Sequence, residues 1–149
     1  MSIWFRDFTL EDCERLDKGL HGKGTLMQTL GIKISEIGDD YLKATMEAGP
    51  ENHNPLGIVH GGANVVLAET VASYAANFVV DTDNYYCVGQ EINANHLKAA
   101  RNGIITAVTK PIHIGKRSSV WEVLIYNAAN ELTCISRMTA AVVKHKMKR

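Results

Sequence analysis

The feature that most constrains the fold is the stretch from Gly61 to Val80, GGANVVLAETVASYAANFVV, which has no proline and only one charged residue, Glu69. Its length and its alanine content predict one helix of about five turns. On a helical wheel the large apolar side chains share one face, which we expect to pack on a sheet. They are Leu67, Val71, Tyr74 and Phe78. Glu69 points the opposite way.

The face around Glu69 carries no other charge. Its small or apolar members are Gly62, Val65, Val66, Ala72, Ser73 and Ala76. A solvated helix face normally carries charged and polar side chains, so we expect this face to be covered as well. In a chain the size of one domain, a second copy is the cover we expect. The sequence therefore predicts a homo-oligomer, a dimer at least.

The other elements predict an α+β protein. Thr9 with Asp12 starts a short helix that Gly19 follows, and a second helical turn ends at Gly31. Six segments read as strands: 32–38, 41–48, 85–97, 103–115, 118–127 and 131–143. The turn signals ARNG and NAAN predict that the last four form an antiparallel meander. We expect one domain, 1–149, with residues 1–30 as a helical N-terminal extension.

Composition argues against several kinds of partner and site. Sixteen basic and sixteen acidic residues cancel, so bulk charge predicts neither nucleic-acid nor membrane binding. Three widely spaced cysteines predict a reducing compartment and no disulfide framework. Without a secretory signal or an apolar run of spanning length, we expect a soluble cytoplasmic protein. No metal site is predicted. His21, His53 and His145 are expected on loops or the surface, with Trp4 and Trp121 in the core.

Glu69 and the HGG at the helix start are the candidates for chemistry. A carboxylate buried without a partner is costly, so it is paired or functional, unless it reaches solvent at the edge of a groove. Ser73 follows one turn later on the same face. The free N–H of Gly61, after His60, lies at the positive end of the helix and suits a developing negative charge. With Asn54 six residues before His60, this set predicts acyl transfer, although a tight helix entry alone also explains HGG.

Three segments resemble the hotdog-fold acyl-CoA thioesterases of the phenylacetate-pathway type: NPLGIVHGGANVVLAETVAS, GQEINANHLKAAR and KPIHIGKRSSVWEVLIYN. The likeness runs from about Gly31 to Val143. It implies a curved antiparallel sheet wrapped around one long central helix, and dimers, usually tetramers, with each active site at a dimer interface. It implies an acyl-CoA or acyl-carrier-protein thioester as substrate and no cofactor, because coenzyme A is part of the substrate and product.

The resemblance implies a role for each candidate residue. Glu69 matches the catalytic carboxylate, acting as nucleophile or general base, and the N–H of Gly61 matches the donor to the thioester oxygen. His60 matches a histidine near the thioester, and Ser73 matches a serine that positions the attacking water. Asn54 stands where the members it most resembles carry glutamine, so its contact with the carbonyl is made by a shorter side chain.

The resemblance also implies where coenzyme A binds. The matching residues are Gly89; then His96, Leu97, Lys98 and Ala99; then His113, Ile114, Gly115, Lys116, Arg117 and Ser118. The cations among them supply charge for phosphates. Gly115 permits a turn where backbone N–H groups meet a phosphate. Without the resemblance, this GKR would be read as a solvated turn.

Two other functions stay open at this point. A hydratase or dehydratase on the same fold would need a histidine and a carboxylate converging on the α and β carbons of the acyl group. A non-catalytic acyl-CoA-binding module would gain nothing from a buried charge. The sequence favours thioester hydrolysis, with aromatic or medium-chain acyl groups, because the members it most resembles favour aromatic ones.

Overall fold

The structure, a computed structural model, describes residues 1–17 and 24–146. Its helices are α1 (Leu10–Asp17), α2 (Leu26–Leu30) and α3 (Gly61–Phe78). Its strands are β1 (Lys33–Ile37), β2 (Leu42–Ala48), β3 (Tyr85–His96), β4 (Gly103–Ile114), β5 (Ser118–Tyr126) and β6 (Leu132–Lys144). A short 3-10 turn, Pro50–Asn52, lies in the loop before α3. The α+β order of elements is the predicted one.

Local sequence sets the ends of the two short helices. The hydroxyl of Thr9 accepts the N–H of Asp12 at 3.2 Å, and the Asp12 carboxylate accepts the N–H of Thr9 at 2.9 Å. This reciprocal capping box starts α1. Thr25 caps α2 in the same way, and Gly31 ends it in the left-handed region with φ 65°. The predicted Gly19 end of the first helix and His21 lie outside the described residues.

The six strands form one antiparallel sheet in the order β1-β2-β4-β5-β6-β3. The meander prediction is correct for β4, β5 and β6 and wrong for β3. That strand pairs with β6, from Tyr85 opposite Lys144 to His96 opposite Cys134. Helix α3 carries the chain across the sheet after β2, so β3 begins at the far side and leaves the place beside β2 to β4.

The segment that links β3 to β4 explains why the ARNG turn signal wrongly predicted that these two strands pair. The N–H groups of Leu97 and Lys98 both donate to the carbonyl of Thr133, at 2.8 and 3.2 Å, and hold the chain at the end of β6. The carbonyl of Ala100 then accepts the N–H of Val59 at 2.8 Å, so the link passes beside the loop that leads into α3. Gly103 has the left-handed φ of 75° that an Asn-Gly turn favours. The turn is real, but it joins strands that are not neighbours.

Helix α3 packs against β2, β3, β4, β5 and β6, which confirms the long helix enclosed by a curved sheet. Leu67, Val71 and Phe78 are buried as predicted, whereas Tyr74 is half-buried and its hydroxyl donates to the carboxylate of Asp17 in α1. Through this contact the N-terminal extension covers the second half of α3. The helix ends at Phe78, two residues before the predicted Val80.

The aromatic residues join this extension to the core. The rings of Phe8 and Phe78 stack with their centroids 3.8 Å apart. Trp4 meets Phe78 edge-on and lies parallel to Trp121, with centroids 6.4 Å apart. Trp121 is fully buried, and its indole N–H donates to the hydroxyl of Ser119 at 2.8 Å. The core role predicted for the two tryptophans is confirmed for Trp121, and half-buried Trp4 packs against the core from outside.

The prediction that the whole Glu69 face of α3 is left for a second copy is wrong in its extent. Ala72 and Ala76 are fully buried within the chain, because β3 and the N-terminal extension close around the second half of the helix. Asn77 fastens that closure, since its side chain accepts the N–H of Cys87 at 2.8 Å and donates to the Cys87 carbonyl at 3.2 Å. The part left open consists of exposed Gly62 and Glu69 and half-buried Val65, Val66 and Ser73.

Candidate active site

The first turn of α3 leaves one backbone N–H unused. The imidazole Nδ1 of His60, the N-cap, accepts the N–H of Gly62 at 2.8 Å. The carbonyl of His60 accepts those of Ala63 and Asn64 at 2.9 and 3.2 Å. Among the described residues the N–H of Gly61 has no acceptor. At the positive end of the helix dipole, the N–H of Gly61 is thus available to bind a negatively charged group.

His60 is exposed, and its cap fixes its chemistry. Because Nδ1 accepts a hydrogen bond, a neutral imidazole carries its proton on Nε2. The second nitrogen of a neutral His60 is therefore a donor. The cap was not foreseen from the sequence, where His60 was assigned only to a place near the thioester.

Asn54 also presents a donor. Its side-chain oxygen accepts the backbone N–H of Leu56 at 2.9 Å. The backbone N–H of Asn54 donates to the carbonyl of Ile58 at 2.8 Å. The side-chain oxygen is thus committed to the turn, which leaves the NH₂ group free to donate. An asparagine in this position can still contact a carbonyl although it is shorter than a glutamine.

Asn54 and Gly61 line a cavity of about 330 Å³ at the helix start. Its wall also contains Asn64 and the predicted coenzyme A residues His96, Leu97, Lys98 and Ala99. The His96 ring lies against Gly61, where a Cβ would come within 2.7 Å of its Nε2. Glycine at position 61 therefore allows the end of β3 to close on the helix start. The structure brings these two predicted groups of residues together.

Glu69 lies elsewhere. Its side chain is exposed and forms no hydrogen bond or ion pair with the described residues. Its carboxylate rests over Gly89 of β3, where a Cβ would come within 2.9 Å of Oε1. Next to it, the Ser73 hydroxyl contacts the sulfur of Met138 at 3.7 Å. Gly89, predicted to contact coenzyme A, is thus also the residue that makes room for the Glu69 carboxylate.

Within one chain the carboxylate and the free N–H are too far apart to act on one carbon atom. Glu69 follows Gly61 by eight residues on the same helix, which is about 12 Å along the axis. A nucleophile and an oxyanion donor must both lie about 3 Å from a single reacting group. The candidate catalytic residues of this chain are therefore divided between the two ends of the exposed helix face.

The predicted coenzyme A residues are split as well. His96 pairs with Cys134, whereas Ser118 pairs with Ala141 seven residues further along β6, which is about 23 Å. The β4–β5 turn is held by the N–H of Gly115, which donates to the Ser118 carbonyl at 2.9 Å. His113, Ile114, Lys116 and Arg117 are exposed there. The turn shares the sheet end of Gly89, since Ser119 and Gly89 both pair with Ala140.

The cations of these segments differ in availability. Lys98 forms an ion pair with Glu131, and the pair lowers the pKa of the Glu131 carboxyl. Lys116 and Arg117 form no ion pair within the described part of the chain. The hairpin therefore offers unpaired positive charge, while Lys98 would first have to leave its partner.

A second cavity of about 800 Å³ lies beside Ser73 and was not located from the sequence. The N-terminal extension, the second half of α3 and the start of β3 surround it, and its walls are largely apolar. These walls include Phe8, Tyr74, Phe78, Tyr85 and Tyr86, with Arg6, Asp12, Arg15 and His145 among its polar lining residues. Sequence reasoning missed it because no local pattern shows which segments enclose a common space.

Two more observations concern kinds of site. Within residues 1–17 and 24–146, the helices lack the combination of length and apolar character that crossing a bilayer requires. In the same residues no group of His, Cys, Asp and Glu side chains is arranged to hold a metal ion.

The family model described as the thioesterase superfamily matches residues 56–134. Over 141 residues the chain is 40% identical to the 1,4-dihydroxy-2-naphthoyl-CoA hydrolase of Escherichia coli K12, covering 95% of this chain and 99% of that protein. It is 39% identical to the proofreading thioesterase EntH of Cronobacter turicensis, with coverages of 95% and 98%. A crystal structure of a mutant of thioesterase PA1618 from Pseudomonas aeruginosa superposes with a TM-score of 0.91 at 40% identity, covering 97% of this chain and 100% of that one.

Proposed function

Because the chain belongs to the thioesterase superfamily and is a thioester hydrolase, we propose that it cleaves acyl-CoA thioesters at a site shared by two copies. In this site Glu69 of one copy faces the Gly61 N–H of the other. The observation that carries the proposal is the unused N–H at the start of α3, about 12 Å from an exposed carboxylate on the same helix. A two-fold axis between the two groups turns two half-sites into two complete ones.

Strand β3 supplies the surface for that pairing. It lies at the edge of the sheet, is twelve residues long and contains neither proline nor lysine, the residues that commonly protect an edge. Tyr86 and Val88 are exposed along it. An antiparallel β3–β3 pair would extend the sheet across the dimer. Two such dimers would give the tetramer that the resemblance implies.

The positions of the two half-sites fix the register of this pair. Glu69 lies over Gly89 and Gly61 lies against His96. For Glu69 of one copy to meet Gly61 of the other, Gly89 must lie near His96 of the second strand. The two-fold axis then passes close to Ile92 and Asn93, near the middle of β3.

The chemistry follows from these groups. The Glu69 carboxylate either attacks the thioester carbon or takes a proton from a water that attacks it. The carbonyl oxygen gains negative charge, which the Gly61 N–H stabilises, with Asn54 and His60 as further donors. The C–S bond then breaks and coenzyme A leaves as the thiolate. Since a thiolate leaves readily, we expect no metal or redox cofactor to be needed.

The same pairing suits the coenzyme A residues. It brings the segment His96–Ala99 of one copy close to Gly89 of the other. In that second copy, Gly89 of β3 lies two strands away from β5 and the hairpin that carries Lys116 and Arg117. The pantetheine arm would enter along the cavity of about 330 Å³. The nucleotide phosphates would meet the hairpin cations at the surface.

The acyl group is proposed to occupy the cavity of about 800 Å³ beside Ser73. Ser73 lies one helical turn after Glu69, so it stands between the carboxylate and this cavity. The aromatic walls favour an aromatic or medium-chain acyl group, because they bury apolar surface and stack on rings.

The test is hydrolysis of a panel of aryl-, medium-chain and long-chain acyl-CoAs, followed by release of free thiol, with Glu69→Gln and Glu51→Gln as matched variants. Glu69→Gln keeps nearly the same volume and loses the base or nucleophile, so we expect kcat/KM to fall at least about a hundredfold. Folding should persist, because the carboxylate forms no hydrogen bond or ion pair with the residues that the structure describes. Glu51 is an exposed residue of the loop before α3, and its variant should match the wild type. A folded Glu69→Gln protein with more than about a tenth of wild-type activity would contradict the role.

A further inference from the structure

The cavity at the start of α3 contains a buried polar group with no partner. The side chain of Asn64 is in the first turn of the helix, and the residue is only 7% exposed. Its Oδ1 is fully buried and receives no hydrogen bond from residues 1–17 or 24–146. Its backbone N–H is satisfied by the His60 carbonyl. An unsatisfied buried carbonyl is destabilising, so a hydrogen-bond donor from outside the chain that turns this oxygen towards the cavity would stabilise it.

The surroundings of Asn64 show what kind of partner fits. Asn64 lines the same cavity as Gly61, Asn54 and His96. Gly61 offers donors to a carbonyl oxygen, whereas Asn64 offers an acceptor three residues further along the helix. The ligand therefore needs a carbonyl oxygen for the first and an N–H group for the second.

On the basis of the proposed function, we propose that Asn64 binds the secondary amide of the pantetheine arm that lies nearest the thioester. Four bonds separate that amide nitrogen from the thioester carbon. This span is comparable to the roughly 5–6 Å between side chains three positions apart on a helix. The acyl chain itself supplies no N–H group at this distance.

The proposal uses the side-chain oxygen of Asn64 as the acceptor for the amide N–H. With oxygen and nitrogen reversed, the NH₂ group would donate to the amide carbonyl instead. A thioester that keeps the carbonyl but lacks the N–H therefore distinguishes the two orientations. The proposed contact makes Asn64 a specificity residue for the leaving group, distinct from the groups that act on the thioester carbon.

The experiment compares two thioesters of the same acyl group. One has N-acetylcysteamine as leaving group, and the other has 5-mercaptopentan-2-one, in which a CH₂ replaces the amide N–H. Asn64→Leu should lower kcat/KM about tenfold on the first and less than about twofold on the second, because only the first loses a hydrogen bond. Asn64→Asp keeps an acceptor oxygen and should retain the preference for the amide. Asn102→Ala, at an exposed turn, is the control and should match the wild type.

Equal losses on both thioesters would overturn the proposed contact with the amide N–H and would assign Asn64 to the carbonyl that both leaving groups share, to folding or to a bound water. An unchanged rate on the N-acetylcysteamine thioester would overturn it as well. The acyl-CoA panel tests the proposed function separately; if acyl-CoA is hydrolysed but neither short thioester is, calorimetry with pantetheine tests Asn64 instead. The proposal then requires wild-type binding that Asn64→Leu weakens about tenfold, and absence of binding overturns it.

Discussion

A site divided between two chains can be restored by mixing two inactive proteins, and the structure offers a sharp pair of variants. Glu69→Gln removes the carboxylate half. Gly61→Pro removes the N–H of the first turn that has no acceptor within residues 1–17 and 24–146, at the helical position where proline is best tolerated. His60 has φ −62° and ψ 136°, the backbone region that a residue before proline adopts. Each change is therefore confined to its half-site.

The expected magnitudes follow from the geometry. Loss of one oxyanion donor costs about 10²–10³ in kcat, and loss of a positioned base costs at least about a hundredfold. In a random equal mixture half of the dimers are mixed, and each mixed dimer has one site with both Glu69 and Gly61 intact. The mixture should therefore regain about a quarter of the wild-type activity, far above the sum of the two variants.

The assay is thiol release after the two proteins are unfolded and refolded together, with sedimentation to verify that dimers form. Gly61→Ala is the matched control, because it retains the backbone N–H but adds a Cβ. That Cβ would lie 2.7 Å from Nε2 of His96. A fall as large as that of Gly61→Pro would mean that crowding, not the lost donor, inactivates the protein. If the mixture shows only the summed activity of its components, the carboxylate and the donor act within one chain, and the shared site is refuted.

Three further outcomes are expected. Replacing Lys116 and Arg117 with alanine should raise KM for acyl-CoA at nearly constant kcat and reduce its salt dependence, which steady-state kinetics at several ionic strengths will measure. Gly89→Ala places a Cβ 2.9 Å from Oε1 of Glu69, so kcat should fall about tenfold or more, whereas a change in KM alone would assign Gly89 to coenzyme A binding. Burial raises the pKa of the Cys87 thiol to about 11, so at neutral pH a smaller fraction of it is thiolate than in an ordinary thiol. Its reaction with a thiol reagent should therefore accelerate only as the pH rises towards 11, or when urea unfolds the protein.

The helices and strands were accessible to sequence reasoning because their signals are local. The Thr9–Asp12 box, the glycine at position 31 and the apolar spacing of α3 each act within one or two turns. The long helix with its single carboxylate identified the two catalytic candidates before any geometry was known. Family resemblance then supplied the fold, which the structure and the comparisons confirm.

The arrangement of the strands was not accessible in the same way. An Asn-Gly turn at Gly103 predicts a reversal of the chain, but it does not state which strand lies on the other side. The position of β3 next to β6 depends on where α3 deposits the chain, which is a property of the whole sheet. The same limit hid Asn64, since an asparagine in a helix has no sequence mark that shows whether it is buried without a partner.

The pairing of β3 with β6 has a consequence for the order of events when the chain is made. Strand β6 is synthesised after every other strand of the sheet, and β3 has no other neighbour among the described residues. Tyr85 must wait for Lys144, and His96 for Cys134. Such distant pairings form slowly compared with the local β4–β5 hairpin. The edge proposed to recruit a second subunit therefore cannot complete its pairing until β6 has been synthesised, and we expect subunits to associate only after that step.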